Sequence, residues 1–346
     1  MTGLTVGACR ETAPGERRVA LVPESVRPLE GLGLGLGLAV AVESGAGTPS
    51  GWPDDLYRRA GADVVALDEL LDRSDILVGI HPPNLPAGRK FRRGQVLVAL
   101  LDPLRIPFRV RDWADAGVTS IGLDLAPEAS VLARPMDAVA SQGRLVGYKA
   151  ALLAADRLDR PLHAIADTSL RPARALVLGV DIAAEEATAT LSRLGAEVRV
   201  HGREPGPLAG LDVLVTTLRP RRGPPPLLVT ARDLAGMRTG SVVVDVTAGD
   251  DGGNVEGVRP GNTSVVGPGI TLIGAGRLPA DIPAAASTAY ARNVVALVEH
   301  IVRDDGLWID LDDPVQRAMV VTHDSLVHDQ DVWRLILEQT AVAGLP

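Results

Sequence analysis

The sequence is short of cysteine, lysine and aromatic residues, and each shortage closes a route. Cys9 is the only cysteine in 346 residues, so the chain has no internal disulfide and cannot build a Cys-rich zinc or iron–sulfur site alone. Lysine occurs only at Lys90 and Lys149; a Schiff-base lysine would have to be one of these. Four Trp, three Tyr and two Phe leave few platforms for stacking bases or sugars. The longest apolar run, Gly33–Val42, is too short and too glycine-rich to span a bilayer. The N-terminus lacks the apolar stretch of a signal peptide. These features predict a cytoplasmic protein with no membrane insertion.

Positive charge is also in deficit. There are 35 Lys and Arg against 43 Asp and Glu, a net charge of −8, which argues against a nucleic-acid binder. His163, His201, His300, His323 and His328 show no metal-ligand spacing, so no metal site is expected. At about 150 residues per domain the length suggests roughly two domains, and 46% hydrophobic residues supply ordinary cores.

Short β-branched runs alternate with Ala/Leu/Arg-rich stretches. Leu4–Ala8, Leu38–Val42, Val64–Ala66, Ile76–Ile80, Val96–Leu101 and Thr119–Leu123 read as strands. A second series runs through Ala175–Leu178, Val198–His201, Val213–Thr216, Val242–Val246 and Ile270–Ile273. Continuous apolar runs separated by helices indicate parallel sheets covered on both faces. The fold class is therefore α/β, with two Rossmann-like domains joined by long interdomain helices near 136–158 and 284–302. The expected domains are 1–135 plus 300–346, and 136–299, with a ligand cleft between them. The Gly/Leu alternation at Gly31–Gly37 reads as a surface turn, and Pro82–Pro86 and Pro220–Pro226 read as loops.

Several blocks occur in order: Arg10-Glu11 with Gly15-Glu16-Arg17-Arg18-Val19-Ala20-Leu21-Val22-Pro23, then Glu43–Gly47, Met136–Gln142, Gly147-Tyr148-Lys149-Ala150, Arg193–Ala196, Val215-Thr216-Thr217, Gly240–Asp245, Gly252-Gly253-Asn254 and Ala286-Ser287 with Ala291-Arg292-Asn293. This series resembles the family of alanine dehydrogenase and the alpha subunit of nicotinamide nucleotide transhydrogenase, and is closer to the transhydrogenase branch. The resemblance implies a homodimer with an NAD(P)(H)-binding Rossmann domain. On it, Gln142, Gly179, Asp181, Arg203, Thr216, Gly253 and Asn254 mark the cofactor site. Arg18, Asp102, Asp137 and Lys149 mark the catalytic one.

The site motifs depart from the family pattern. A Rossmann turn uses G-x-G-x-x-G so that the diphosphate can approach the backbone at the start of a helix. Here the turn reads Gly179-Val180-Asp181-Ile182-Ala183-Ala184. Asp181 replaces the second glycine with a Cβ and a negative charge. A like charge at about 4 Å costs roughly 1 kcal/mol in water and about 4 at an effective dielectric of 20. As an alternative, Asp181 is simply a helix cap, with Glu185 and Glu186 suiting the helix dipole. The family's ribose-binding acid aligns with Gly202. Arg203 beside it suits a 2′-phosphate or is a surface arginine.

On the substrate side, Arg18 suits a carboxylate. The alanine dehydrogenase lysine aligns with Gly79 and its histidine with Asp102, so alanine dehydrogenase chemistry lacks its proton-transfer group. His81 is the nearby substitute, or a loop histidine. In the transhydrogenase branch an arginine and a glutamine near the nicotinamide align with Ala129 and Arg134. Asp137 is kept, or serves as a helix cap. Asp250 and Asp251 are a metal pair or a polar loop. Three readings stay open. The first is a transhydrogenase-type hydride-transfer protein using NAD(P)(H). The second is a non-redox lyase, isomerase or condensing enzyme acting on a small carboxylic acid through Arg18, Asp102, Arg134, Asp137, Tyr148 and Lys149. The third is a pseudoenzyme without a bound nucleotide.

Overall fold

The computed structural model describes residues 3–32, 37–166, 168–220, 223–303 and 306–343. Most of the Gly/Leu alternation, 33–36, and the Arg-Arg pair of the proline-rich loop, 221–222, lie outside the described residues. Gly31 and Leu32 are the last residues of a helix rather than part of a turn. The chain divides into two compact units, Met1–Val139 with Ile282–Pro346, and Ala140–Asp281. The chain returns to the first unit at Ile282, ahead of the 300 expected from sequence.

Unit 1 begins with β1 (Thr5–Ala8), α1 (Pro23–Leu32), β2 (Ala39–Glu43), α2 (Asp54–Ala60), β3 (Asp63–Val65), α3 (Leu67–Arg73), β4 (Ile76–Val78), β5 (Val96–Ala99), α4 (Pro107–Asp115) and β6 (Thr119–Gly122). The boundary helix α5 (Ala138–Arg157) leads into unit 2, with β7 (Arg174–Leu178), α6 (Ile182–Arg193), β8 (Glu197–His201), β9 (Val213–Thr216), α7 (Ala231–Leu234), β10 (Val242–Asp245), β11 (Thr263–Val266), β12 (Ile270–Gly274) and α8 (Leu278–Asp281). The return to unit 1 comprises α9 (Pro283–Ile301), β13 (Val302–Arg303), β14 (Gly306–Leu307), α10 (Pro314–Met319), β15 (Val320–His323), β16 (Leu326–Val327) and α11 (Gln330–Ala343).

The unit 1 sheet has the order β16-β15-β6-β5-β4-β1-β2-β3, and the unit 2 sheet β11-β12-β10-β9-β7-β8. From β6 through β3, and from β12 through β8, all pairings are parallel. Every residue of β1, β4, β5, β6, β9 and β10 is buried, which is why β4 and β5 are continuous apolar runs and the others are broken only by small or polar residues rather than alternating. The antiparallel strands β11, β15 and β16, of which β11 and β16 are edges, are not evident in the sequence. β11 alternates exposed and half-buried residues beside a Gly-Pro-Gly turn, and β16 has two residues, so neither makes a core-strand run. Among the described residues, no helix is long and apolar enough to cross a membrane.

Parallel order places the C-terminal ends of consecutive strands along one edge of each sheet, the usual ligand edge of open α/β sheets. In unit 1 this edge carries the segments after β1, β4, β5 and β6. In unit 2 it carries those after β7, β8, β9, β10 and β12. Polar residues of α9 act as struts inside unit 1. Val19 N–H donates to Ser287 Oγ at 3.0 Å, Asn293 Nδ2 donates to the Pro135 carbonyl at 2.7 Å, and Tyr290 Oη donates to the Gly79 carbonyl at 2.8 Å. Their spacing along α9 puts all three on its buried face.

Within unit 2, α5 and α6 make a close backbone approach. A Cβ on Gly147 would lie 2.2 Å from the Ala183 oxygen and 2.8 Å from the Ala187 nitrogen. Ala150, Ala154, Ala184 and Ala187 belong to the same buried cluster, so small residues set the spacing. Gly147→Ala is expected to destabilise unit 2 by about 1–3 kcal/mol through overpacking, against a helix-propensity gain of about 1 kcal/mol. An unchanged denaturant midpoint would show that the helices separate at no cost.

Candidate functional site

The strand ends of unit 1 gather four charged side chains. Arg18 is buried and forms a two-pronged pair with Glu16, Nε to Oε1 at 2.8 Å and Nη2 to Oε2 at 2.6 Å. Glu16 Oε1 also accepts the backbone N–H groups of Arg17 and Arg18 at 3.0 and 2.9 Å. Burial pushes the Glu16 carboxyl up, but the hydrogen bonds and charge of Arg18, with His81 nearby, outweigh it and hold the group below its ordinary value of 4.5. Glu11, after β1, reaches across to the loop after β4, where its Oε1 accepts the Ile80 N–H at 2.6 Å. His81 Nδ1 lies 3.1 Å from Glu11 Oε2 and 3.8 Å from Glu16 Oε2. The imidazole is 42% exposed while both carboxylates are 6% exposed, so one titratable ring connects two buried acids to the surface.

Gly79 and Tyr290 complete this wall. A Cβ on Gly79 would meet the His81 carbonyl at 2.6 Å and Glu11 Oε1 at 3.3 Å, so the loop folds too tightly here for a side chain. Burial, reinforced by the charges of Glu11 and Asp124, raises the Tyr290 hydroxyl well above its usual range, against a smaller opposing effect of Arg18.

Beyond β5 the backbone is strained. Asp102 has φ 41°, one of three non-glycine residues with positive φ among the described residues. Asp124, after β6, holds this conformation by accepting the Leu101 N–H on Oδ1 and the Asp102 N–H on Oδ2, each at 2.8 Å. Burial raises the Asp124 carboxyl, and these amide bonds only partly offset it. The Asp102 carboxylate points outward, 56% exposed, with Arg105 Nε 3.5 Å away.

In unit 2, β7 ends in Gly179, φ 141°, where a Cβ would fall 1.9 Å from Thr217 Oγ1; only glycine fits this turn. Asp181 follows as the N-cap of α6, its Oδ1 accepting the Ala184 N–H at 2.8 Å. The carboxylate therefore sits at the positive end of the helix. Gly202 and Arg203, after β8, are exposed. Thr216 and Asp245 are fully buried at the ends of β9 and β10. Asp245 accepts Thr247 N–H and Oγ1 at 2.9 and 2.7 Å on Oδ1, and Val255 N–H at 3.0 Å on Oδ2. Burial still leaves its carboxyl raised.

Two profiles match this chain. "Alanine dehydrogenase/PNT, N-terminal domain" covers residues 7–146, and "Alanine dehydrogenase/PNT, C-terminal domain" covers 205–330. The chain belongs to the alanine dehydrogenase/PNT family. It is similar to NAD(P) transhydrogenase subunit alpha of Cereibacter sphaeroides, with 27% identity over 94% of this chain and 71% of that one. It is also similar to alanine dehydrogenase 1 of Staphylococcus aureus, with 27% identity over 88% of this chain and 89% of that one. Among solved structures, the transhydrogenase from Sinorhizobium meliloti superimposes with a TM-score of 0.82 at 31% identity, covering 93% of this chain and 99% of that one.

Against the family pattern, the structure sorts the residues singled out from sequence. Arg18 joins a built cluster, but its partners Glu11 and Glu16 count only as members of a sequence block, and Tyr290 and Asp124 carry no sequence signal. Asp137 ends a short 3₁₀ turn, Arg134–Met136, just before α5. Gln142 is buried on α5, Lys149 half-buried and Tyr148 exposed. Gly253 packs against Asp245: a Cβ there would stand 2.5 Å from Asp245 Oδ2. Asn254 is fully buried, its Nδ2 donating to the carbonyls of Leu218 and Pro226 at 2.9 Å each. The turn at Asp250 and Asp251 is closed by Gly249 and Gly252, which bond each other's backbones. No group of three metal-ligating side chains occurs among the described residues.

The Glu16–Arg18 pair makes a pH-dependent prediction. Glu16→Gln removes the two-pronged counter-charge of a buried guanidinium and is expected to cost about 3–5 kcal/mol at neutral pH. Because the folded Glu16 titrates below its ordinary value of 4.5, its ionic contribution is complete above that pH and fades as pH falls through the lower folded value. The stability gap between wild type and Glu16→Gln, read from urea denaturation, should close on that acid side. A gap that stays constant to low pH would assign the loss to packing alone.

Proposed function

We propose that this protein keeps the hydride-transfer scaffold of a transhydrogenase alpha subunit but does not grip NAD(P)(H) by its diphosphate. The observation that carries this reading is the Asp181 cap. Its carboxylate already accepts the Ala184 N–H at 2.8 Å, at the helix terminus that a Rossmann turn leaves open for phosphate. A diphosphate there would have to displace the cap and stand beside its charge. The exposed Gly202 and Arg203 offer no acid for a ribose, and Asn254 Nδ2 is committed to two carbonyls, while its buried Oδ1 has no hydrogen-bond partner. The residues of the 179–184 turn do not fit the cofactor in its usual mode, so no step is assigned to it. The reading also takes the protein as a cytoplasmic homodimer, as the family resemblance implies.

A second reading, a non-redox enzyme handling a small carboxylic acid, draws on unit 1. His81 is exposed on one side and contacts Glu11 and Glu16 on the other. An imidazole placed between water and two carboxylates is the side-chain arrangement that acid–base chemistry on a bound substrate uses. Asp102, held outward beside Arg105, adds a second carboxylate on the same strand edge.

Calorimetric titration with NADH and NADPH tests the first reading. The wild-type chain is expected to show no micromolar binding of either. Asp181→Gly, which costs a helix cap only a few tenths of a kcal/mol, should tighten the residual affinity by about tenfold. Micromolar binding by the wild type, or an unchanged affinity in the variant, would overturn the proposal.

A further inference from the structure

Unit 1 contains a cavity of about 650 Å³ between the loop after β4 and one face of α4, a volume in the range of small-molecule sites. Its floor is apolar: Trp113 is 4% exposed, and Phe91 and Leu85 are half-buried beside it. Most charges around this loop are matched. Arg89 Nη2 lies 2.6 Å from Asp72 and its Nε 3.3 Å from Asp68, and Asp115 lies 3.9 Å from Arg111. Three lining groups differ. Lys90, Arg109 and Asp112 have no ion-pair partner among the described residues.

Arg109 and Asp112 are three residues apart on α4 and share a helix face, yet they do not pair with each other. The Arg109 guanidinium is held in place without being neutralised. Its Nη2 donates to the Pro83 carbonyl at 3.3 Å, and its Cζ lies 5.6 Å from the centre of the Trp113 ring. A fixed planar cation with a free charge recognises a carboxylate. A carboxylate one turn along the same wall recognises an ammonium. The aromatic floor between loop and helix takes an apolar body, which also stands beside the Arg109–Trp113 stack.

We propose that this cavity binds an α-amino acid with a large apolar side chain. Its carboxylate is received by Arg109 with help from Lys90, its ammonium by Asp112, and its side chain by Trp113, Phe91 and Leu85. Opposite charges over an apolar floor fit a ligand that carries both an ammonium and a carboxylate beside an apolar body. A simple fatty or aromatic acid would leave Asp112 unmatched, and an amine would leave Arg109 unmatched. The site is independent of the 179–184 turn.

The test is a titration of the full chain with L-phenylalanine and L-leucine, followed by calorimetry and tryptophan fluorescence. The analogues are 3-phenylpropionate, which lacks the ammonium, and 2-phenylethylamine, which lacks the carboxylate. Saturable binding of at least one amino acid is expected, weakened by about tenfold in each analogue of phenylalanine if that is the ligand, and by about tenfold in Arg109→Gln and in Asp112→Asn. The melting temperature of Asp112→Asn should match wild type, since Asp112 is exposed on α4, whereas Arg109→Gln also loses the contacts with the Pro83 carbonyl and the Trp113 ring. Absence of saturable binding by both amino acids overturns the proposal. So does binding that both variants retain, or 3-phenylpropionate binding as tightly as phenylalanine.

Discussion

The first amides of α6 have no partner within their own helix, and something must accept their hydrogen bonds. In this chain the acceptor is the Asp181 side chain, through Ala184 N–H. Much of unit 2 follows from that local solution. The turn can close on itself, so Gly179 packs directly on Thr217. The loops after β9 and β10 are free to satisfy one another, and they do so around Asp245, Thr247, Val255 and Asn254. The strand-end loops are thus tied to one another, with Thr216 Oγ1 and Asn254 Oδ1 left as buried atoms without a hydrogen-bond partner.

Unit 1 treats charge in a related way. Glu16 closes on Arg18, Glu43 takes the backbone N–H of Arg10 at 2.8 Å, and Asp124 takes two successive amides. Each buried acid has a fixed donor, as burial demands. The His81 ring and the Asp102 carboxylate reach water, 42% and 56% exposed. Together the two units describe a scaffold of the alanine dehydrogenase/PNT family in which most buried acids at the strand ends are met by donors of the chain itself.

The central strands were legible because residues buried on both faces must be apolar without interruption. Val96–Ala99 and Val242–Asp245 are such runs. The antiparallel edge strands were not, since an edge such as Thr263–Val266 needs only one covered face and its sequence resembles a loop. The site was only partly legible. Asp181 stands out because a glycine position tolerates no side chain near a diphosphate, and Arg18 because it lies in a recognisable block. Tyr290 was invisible: its partner is the carbonyl of Gly79, far away in sequence, and nothing local distinguishes it from a core tyrosine.

By itself, then, the sequence determined the α/β class, the central strand and helix segments and the family resemblance. These depend on short-range periodicity and on residue types at fixed spacing. Only the tertiary structure decided which charges meet. Glu11 contacts His81 and Asp124 orients Asp102 because the sheet order brings β1 beside β4 and β5 beside β6. Asn254 faces Leu218 and Pro226 because two loops fold over the same strand ends. Pairings of this kind are set by the burial of whole strands, so no local stretch of sequence contains them.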